Sequence, residues 1–176
     1  MEIRLLRESD DRSAFRSGDP DLDRFLHKYA GQNQFRHHLG TTYVAVDAGR
    51  ILGYATVAPG NIEIDHLPAK QRKKLPGYPL PILRLGRLAV EGAAQGQGLG
   101  KELLRFVLKL ALRMSDDFGC VGVVVDAKAG AVEFYQTLGF VELEAIEGQS
   151  EARPMPRAMF LPIRDIQAAT RAKGGS

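Results

Sequence analysis

A chain of 176 residues is long enough to bury one domain core, and 44% hydrophobic with 26% charged residues is an ordinary globular composition that excludes low-complexity and collagen-like chains. No apolar run approaches the ~20 residues that cross a bilayer. Met1-Glu2-Ile3-Arg4 does not open a signal peptide, and a lone Cys120 excludes an intrachain disulfide, which suits a cytoplasmic location.

The formal charge of +3 is unevenly spread. Lys70, Arg72, Lys73, Lys74, Arg84 and Arg87 fall in a stretch with no acid, and Arg36-His37-His38 adds a second basic group. Acids gather at Asp10-Asp11, Asp19 to Asp23 and Glu142 to Glu151. Such runs leave solvated surface and anion binding both open.

In chain order, Ile3 to Arg7 reads as a strand. Asp19-Pro20 reads as a helix start, with Asp as N-cap, Pro at the first helical position and Asp21 and Asp23 at the positive end of the dipole. Leu22, Phe25, Leu26 and Tyr29 continue at helical spacing, with Gly31 as a weak point. Thr41 to Val46 and Ile51 to Ala58 form a hairpin about Asp47-Ala48-Gly49-Arg50, ended by Pro59-Gly60. His66 to Pro79 is polar and Pro-broken, a connection with one short helix. Ile82 to Val90 is a long central strand covered on both faces.

A glycine-rich loop follows. Leu99, Leu103, Phe106, Val107, Leu110 and Met114 then mark the apolar stripe of a long helix. Val121 to Val125 is a buried strand, Ala129 to Leu138 a second helix capped by Gly139, and Phe140 to Leu143 and Ala158 to Leu161 are terminal strands. Residues 1–170 make one domain and Arg171 to Ser176 a frayed tail. The predicted class is a mixed α/β (α+β) sheet with packed helices.

Gln95-Gly96-Gln97-Gly98-Leu99-Gly100 lies between a strand and the long helix. The first amides of a helix lack intrahelical partners and its dipole is positive there, so such an end takes an anion. Lys101 adds a cation. A dinucleotide loop would read G-x-G-x-x-G after a βαβ start, and a P-loop G-x-x-x-x-G-K-[ST]; neither is present.

With Leu85-Gly86-Arg87-Leu88-Ala89-Val90 before it and Phe134-Tyr135-Gln136-Thr137-Leu138-Gly139-Phe140 after it, this loop resembles the GNAT N-acetyltransferase signature, Gln/Arg-x-x-Gly-x-Gly/Ala. The resemblance implies a twisted, mostly antiparallel sheet of six to seven strands with helices on both faces. It implies acetyl-CoA as co-substrate, with no metal. Gln95, Gly96, Gln97, Gly98, Leu99, Gly100 and Lys101 would hold the pyrophosphate, and Leu88, Ala89 and Val90 the pantetheine arm. Tyr135 would be the general acid for the leaving thiolate, since a phenol of pKa ~10 stays protonated at neutral pH. Packing within the helix is the competing role for Tyr135. Where many members carry an Asn for pantetheine, this chain has Asp126-Ala127-Lys128-Ala129-Gly130. Glu63, Asp65, Asp126, His37 and His38 are candidate bases, and Cys120 reads as a core thiol.

Phe15-Arg16-Ser17-Gly18-Asp19-Pro20-Asp21-Leu22-Asp23-Arg24-Phe25-Leu26, Gly53-Tyr54-Ala55 and Leu67-Pro68 look similar to the branch containing toxins that acetylate charged tRNA. That branch implies a ribbon-helix-helix antitoxin as partner and often a homodimer. Lys70, Lys73, Lys74, Arg84 and Arg87 would then contact tRNA phosphates, with Lys28, Arg36, His37 and His38 behind them. Acetylation of a protein or small-molecule amine, and a non-catalytic acyl-CoA-binding module, remain the alternatives.

Overall fold

Asp19 starts the first helix as its sequence predicts: its carboxylate accepts from the amides of Asp21 and Leu22, with Pro20 in the first turn. Helix α1 (Pro20–Arg24) runs directly into π-helical turns at Phe25–Tyr29 and Gln32–His37. Gly31 does not end the run. Its missing side chain makes room for the Arg12 guanidinium, which a methyl group there would meet. A computed structural model describes residues 1–67, 69–72, 75–77, 79–143 and 157–174.

Strands β1 (Glu2–Leu5), β2 (Thr41–Asp47), β3 (Arg50–Ile62), β4 (Leu80–Val90), β5 (Gly122–Ala127), β6 (Val141–Glu142) and β7 (Arg157–Pro162) form one mixed sheet. Their order is β1-β2-β3-β4-β5-β7-β6. The pairs β1/β2, β2/β3, β5/β7 and β6/β7 are antiparallel. Helices α2 (Ala69–Arg72), α3 (Leu99–Asp117), α4 (Val132–Thr137) and α5 (Ile163–Gly174) complete the elements. Among the described residues, no helix is long and apolar enough to cross a membrane.

Strand β3 passes the predicted stop at Pro59-Gly60 and reaches Ile62. Its pairing with β2 ends at Thr41↔Val57, so Pro59 lies beyond the last β2 partner and its missing N–H interrupts no bond on that side. Helix α5 runs past Arg171 to Gly174. Ile166 is its buried anchor, and the Ile163 amide donates to the Val121 carbonyl at 2.9 Å.

Two compact units divide the chain, Met1–Ala58 with Leu85–Lys109 and Pro59–Arg84 with Leu110–Ser176. The first is built on Leu6, Phe15, Phe25, Leu26, Val44, Ile51 and Tyr54. Phe15 meets the Tyr54 ring edge-on at 5.6 Å between centroids, and Phe25 stacks on it at 6.2 Å. The Tyr54 hydroxyl donates to the Leu22 carbonyl at 2.7 Å, which satisfies its one polar atom inside that core. The second unit is built on Ile62, Leu67, Leu80, Ile82, Val124 and Phe160.

In the second unit Gly122 faces Pro162 across the β5/β7 ladder. A Cβ there would run into the Leu161 carbonyl and the Phe160 ring, and that backbone cannot retreat without opening the ladder. Gly122→Val is therefore expected to cost about 3 kcal/mol. Thermal unfolding should show it as a Tm lowered by about 10 °C.

Near the N-terminus, Arg4 grips Asp10 through both guanidinium Nη atoms, each at 2.8 Å. The Asp10 carboxylate also accepts from the Arg7 amide at 2.8 Å. The Arg4 hydrogen bond holds the Asp10 carboxyl below its ordinary value. A lowered folded-state pKa gives stability that is present above the unfolded value and lost as pH falls through the folded one. Asp10→Asn should flatten the acid limb of a stability-versus-pH curve below about pH 4 and leave it unchanged near neutrality in shape.

Candidate active site

Strand β4 ends in the first unit, and its continuation is held tightly. The Glu91 amide donates to the Leu52 carbonyl on β3 at 2.8 Å, and the Ala94 amide to the Glu91 carbonyl at 2.8 Å. A single 3₁₀ turn, Gly92–Ala94, leads to Gln95 in an extended conformation. Gly96 and Gly98 then adopt left-handed φ angles of 80° and 85°, which residues with a Cβ enter only at a cost. Both are exposed, and a Cβ on either would meet no described atom within 4 Å apart from its chain neighbours. The glycines thus serve the backbone path and leave the space above the loop open.

Helix α3 begins with the Glu102 amide donating to the Gly98 carbonyl at 3.1 Å. The amides of Leu99, Gly100 and Lys101 precede that bond and have no carbonyl within the helix to meet. Leu99 and Leu103 anchor the helix start in a cluster with Ala45, against Leu88, Val90 and Ala94. Lys101 is exposed beside the open amides. Glu91 is the one buried acid close by in sequence, and its carboxylate is neutralised by an ion pair with Arg50. Glycine-opened backbone, three helix-start amides and a free-standing lysine fit a diphosphate.

The Gln95 side chain does something else. Its carboxamide nitrogen donates to the Ser17 carbonyl at 2.8 Å and the Val90 carbonyl at 2.9 Å. Leu88 and Val90 are half-buried and Ala89 is buried, as expected of strand residues whose backbone is their working part.

In the second unit, Tyr135 sits in α4 and is 6% exposed. Its ring meets Phe134 edge-on at 5.1 Å and Phe140 at 5.4 Å. Among the described residues its hydroxyl has no hydrogen-bond partner, an uncommon state for a buried phenol. Burial alone pushes its pKa up to about 12. The α4 end fixes the ring's place, since the amides of Leu138 and Phe140 both donate to the Tyr135 carbonyl at 3.1 Å.

The basic stretch is dispersed in its chemistry. Arg84 on β4 donates from Nη1 to both Asp126 oxygens, at 2.9 and 3.0 Å, so its charge already has a partner. Arg87 is exposed with its guanidinium 3.8 Å over the Phe25 ring. Lys70 is exposed on α2, whereas Lys73 and Lys74 lie outside the described residues. Lys28, Arg36, His37 and His38 are all exposed along the helical run that follows α1. Cys120 is buried, with its thiol pushed up by desolvation, as a core thiol should be. Among the described residues no group of three or more His, Cys, Asp or Glu is placed to hold a metal ion.

Sequence reasoning passed over Ser17 and Asp23. The Ser17 amide and hydroxyl both donate to Asp23 Oδ1, at 2.9 and 2.7 Å, and Asp23 is 9% exposed. An acid in the first helical turn reads as a dipole partner, and nothing in its spacing announces a partner six residues back.

Comparison with known proteins agrees with this geometry. Residues 38–142 match the acetyltransferase (GNAT) domain model. The chain is 33% identical over 124 residues to the tRNA-acetylating toxin of Mycobacterium tuberculosis, covering 70% of this chain and 74% of that protein. Its structure is similar to AtaT complexed with acetyl-methionyl-tRNAfMet, at 28% identity and a TM-score of 0.84, over 96% of this chain and 98% of that one. It is also similar to AtaTR bound with AcCoA, at 29% identity and a TM-score of 0.77, over 96% and 97% of the two chains. Fold, glycine loop and family model agree, and the chain belongs to the GNAT acetyltransferase family.

Proposed function

We propose that this protein moves the acetyl group of acetyl-CoA onto the α-amine of an aminoacyl group carried by tRNA, and so acts as a toxin that blocks translation. The observation that carries the reading is the loop of Gly96 and Gly98, whose left-handed backbone opens onto the start of α3. The acceptor is argued from the similarity to a tRNA-acetylating toxin and to AtaT with acetyl-methionyl-tRNA. Charged tRNA places the reaction in the cytoplasm, and a ribbon-helix-helix antitoxin is the partner this reading implies.

In this account the amides of Leu99, Gly100 and Lys101 hold the diphosphate, with the Lys101 ammonium beside it. The backbone of Leu88, Ala89 and Val90 pairs with the pantetheine amides like an added strand. Acetyl-CoA supplies a thioester. The free amine attacks its carbonyl carbon while an amide N–H from Leu88 or Ala89 meets the oxyanion, the C–S bond breaks with its electron pair on sulfur, and the nitrogen gives up one proton to water.

Tyr135 supplies the O–H that the leaving sulfur meets. A phenol near pKa 12 does not transfer its proton fully to a thiolate whose conjugate acid lies near ~8.5. It acts as a strong hydrogen-bond donor while negative charge builds on sulfur, and water completes the protonation. Among the described residues no group competes for the hydroxyl. Lys70, Arg87, Lys28 and Arg36 are exposed cations offered to the tRNA backbone, with the exposed His37 and His38 as further hydrogen-bonding groups.

Labelled acetyl-CoA tests the reading when incubated with charged tRNA, a polyamine and a peptide. Label on the aminoacyl group is the expected result. Label confined to the polyamine or peptide would reassign the acceptor while leaving the acetyltransferase chemistry in place.

A further inference from the structure

The Gln95 carboxamide has two N–H bonds and spends both on backbone carbonyls, those of Ser17 and Val90. Since both partners are carbonyl oxygens, the nitrogen end must point at them, and it has no donor left for a phosphate. A second tie runs beside it, from the Gly92 amide to the Arg16 carbonyl at 2.8 Å. From Ser17 the chain of bonds goes on: amide and hydroxyl to buried Asp23, and the Asp19 amide to the Ser17 hydroxyl at 3.1 Å. Asp19 caps α1, Tyr54 holds the Leu22 carbonyl, and Arg87 covers Phe25.

We propose that Gln95 is a positioning residue whose carboxamide bolts the backbone at Arg16 and Ser17 to the end of β4, so that filling the diphosphate loop stiffens the helical run from Pro20 to His37. That run carries exposed Lys28, Arg36 and His37, so the bolt links the donor site to acceptor binding. The inference rests on acetyl-CoA occupying the loop. From Gln95 through Ser17 to Asp19 and Asp23 the link consists of hydrogen bonds of stated length, and its residues belong to one compact unit.

The test uses the full chain, hydrogen–deuterium exchange with and without coenzyme A, and steady-state kinetics. Gln95→Met keeps length and neutrality and removes both donors; Gln95→Arg returns donors. In the wild type, coenzyme A should slow exchange in residues 16–25 as well as in residues 95–101. In Gln95→Met the loop should keep its protection while residues 16–25 lose theirs. KM for the acceptor should rise about tenfold, the effect of two lost hydrogen bonds of ordinary strength, with kcat within about twofold. Gln95→Arg should restore both readouts. Wild-type protection and acceptor KM in Gln95→Met would overturn the proposal. So would a loss of coenzyme A affinity with acceptor KM unmoved, which would make Gln95 a direct ligand. Failure of the wild type to bind coenzyme A at all would defeat the functional reading itself, and this link with it.

Discussion

Tyr135→Phe lowers kcat about a hundredfold or more, the usual worth of a hydrogen-bond donor aimed at developing charge, and leaves the fold intact. The two contributions separate cleanly here. The ring packs edge-on against Phe134 and Phe140, and phenylalanine keeps both contacts. The hydroxyl has no partner among the described residues, so its removal breaks no hydrogen bond to them and relieves a desolvated polar group. Melting temperature should therefore stay level or rise slightly while turnover collapses. If expression of the wild type arrests growth, the variant should release it. A variant with full turnover on every acceptor would remove Tyr135 from the chemistry and return it to packing.

The same residue has a pH signature. Burial pushes its phenol up to about 12, above the unfolded value near ~10. The neutral form is thus favoured in the folded state. Stability from keeping it neutral is fully present below pH ~10 and is lost as pH climbs through the folded value. Difference absorbance of the phenolate, wild type against Tyr135→Phe, should show this tyrosine ionising last or with alkaline unfolding. The alkaline side of the rate profile should carry no limb from it below that range.

Gly98→Val raises KM for acetyl-CoA by about tenfold or more. Left-handed backbone costs a residue with a Cβ about 1–2 kcal/mol, and a branched side chain would also stand over the amides at the start of α3. No described atom beyond its chain neighbours lies within 4 Å of a Cβ there, so global stability should fall by no more than that backbone cost. Gly96→Ala, strained in φ but smaller, should show a weaker form of the same defect. Unchanged KM in both variants would mean that the loop holds no diphosphate.

Where the sequence was legible, a strong local rule and the tertiary structure agreed. Asp19-Pro20 carries a capping signal, and the cap forms. Gly139 adopts a φ of 95° after α4, as its place after Leu138 implied. The glycine loop was legible as backbone, because the left-handed φ angles at Gly96 and Gly98 are written in glycine. The missed parts depend on partners distant in the chain. Among the described side chains of helix α5, Ile166 is the one large buried residue, too little periodicity to announce a helix. The widened π-helical turns after Arg24 leave no compositional trace, because their spacing is set by packing around Phe25 and Leu26. Arg84 read as a phosphate contact because Asp126, its partner, lies 42 residues away. Gln95 read as a ligand because its acceptors on Ser17 and Val90 appear only once the chain is folded.

Calorimetric titration of acetyl-CoA against acetyl-pantetheine measures the whole phosphorylated nucleotide end, since the second ligand keeps only the thioester arm, and Gly98→Val then reads the loop's share of it. The wild type should bind acetyl-CoA at least about a hundredfold more tightly, about 2.7 kcal/mol, and Gly98→Val should erase most of that difference. Equal affinity for the two ligands in the wild type would contradict a diphosphate seated on the opening amides of α3.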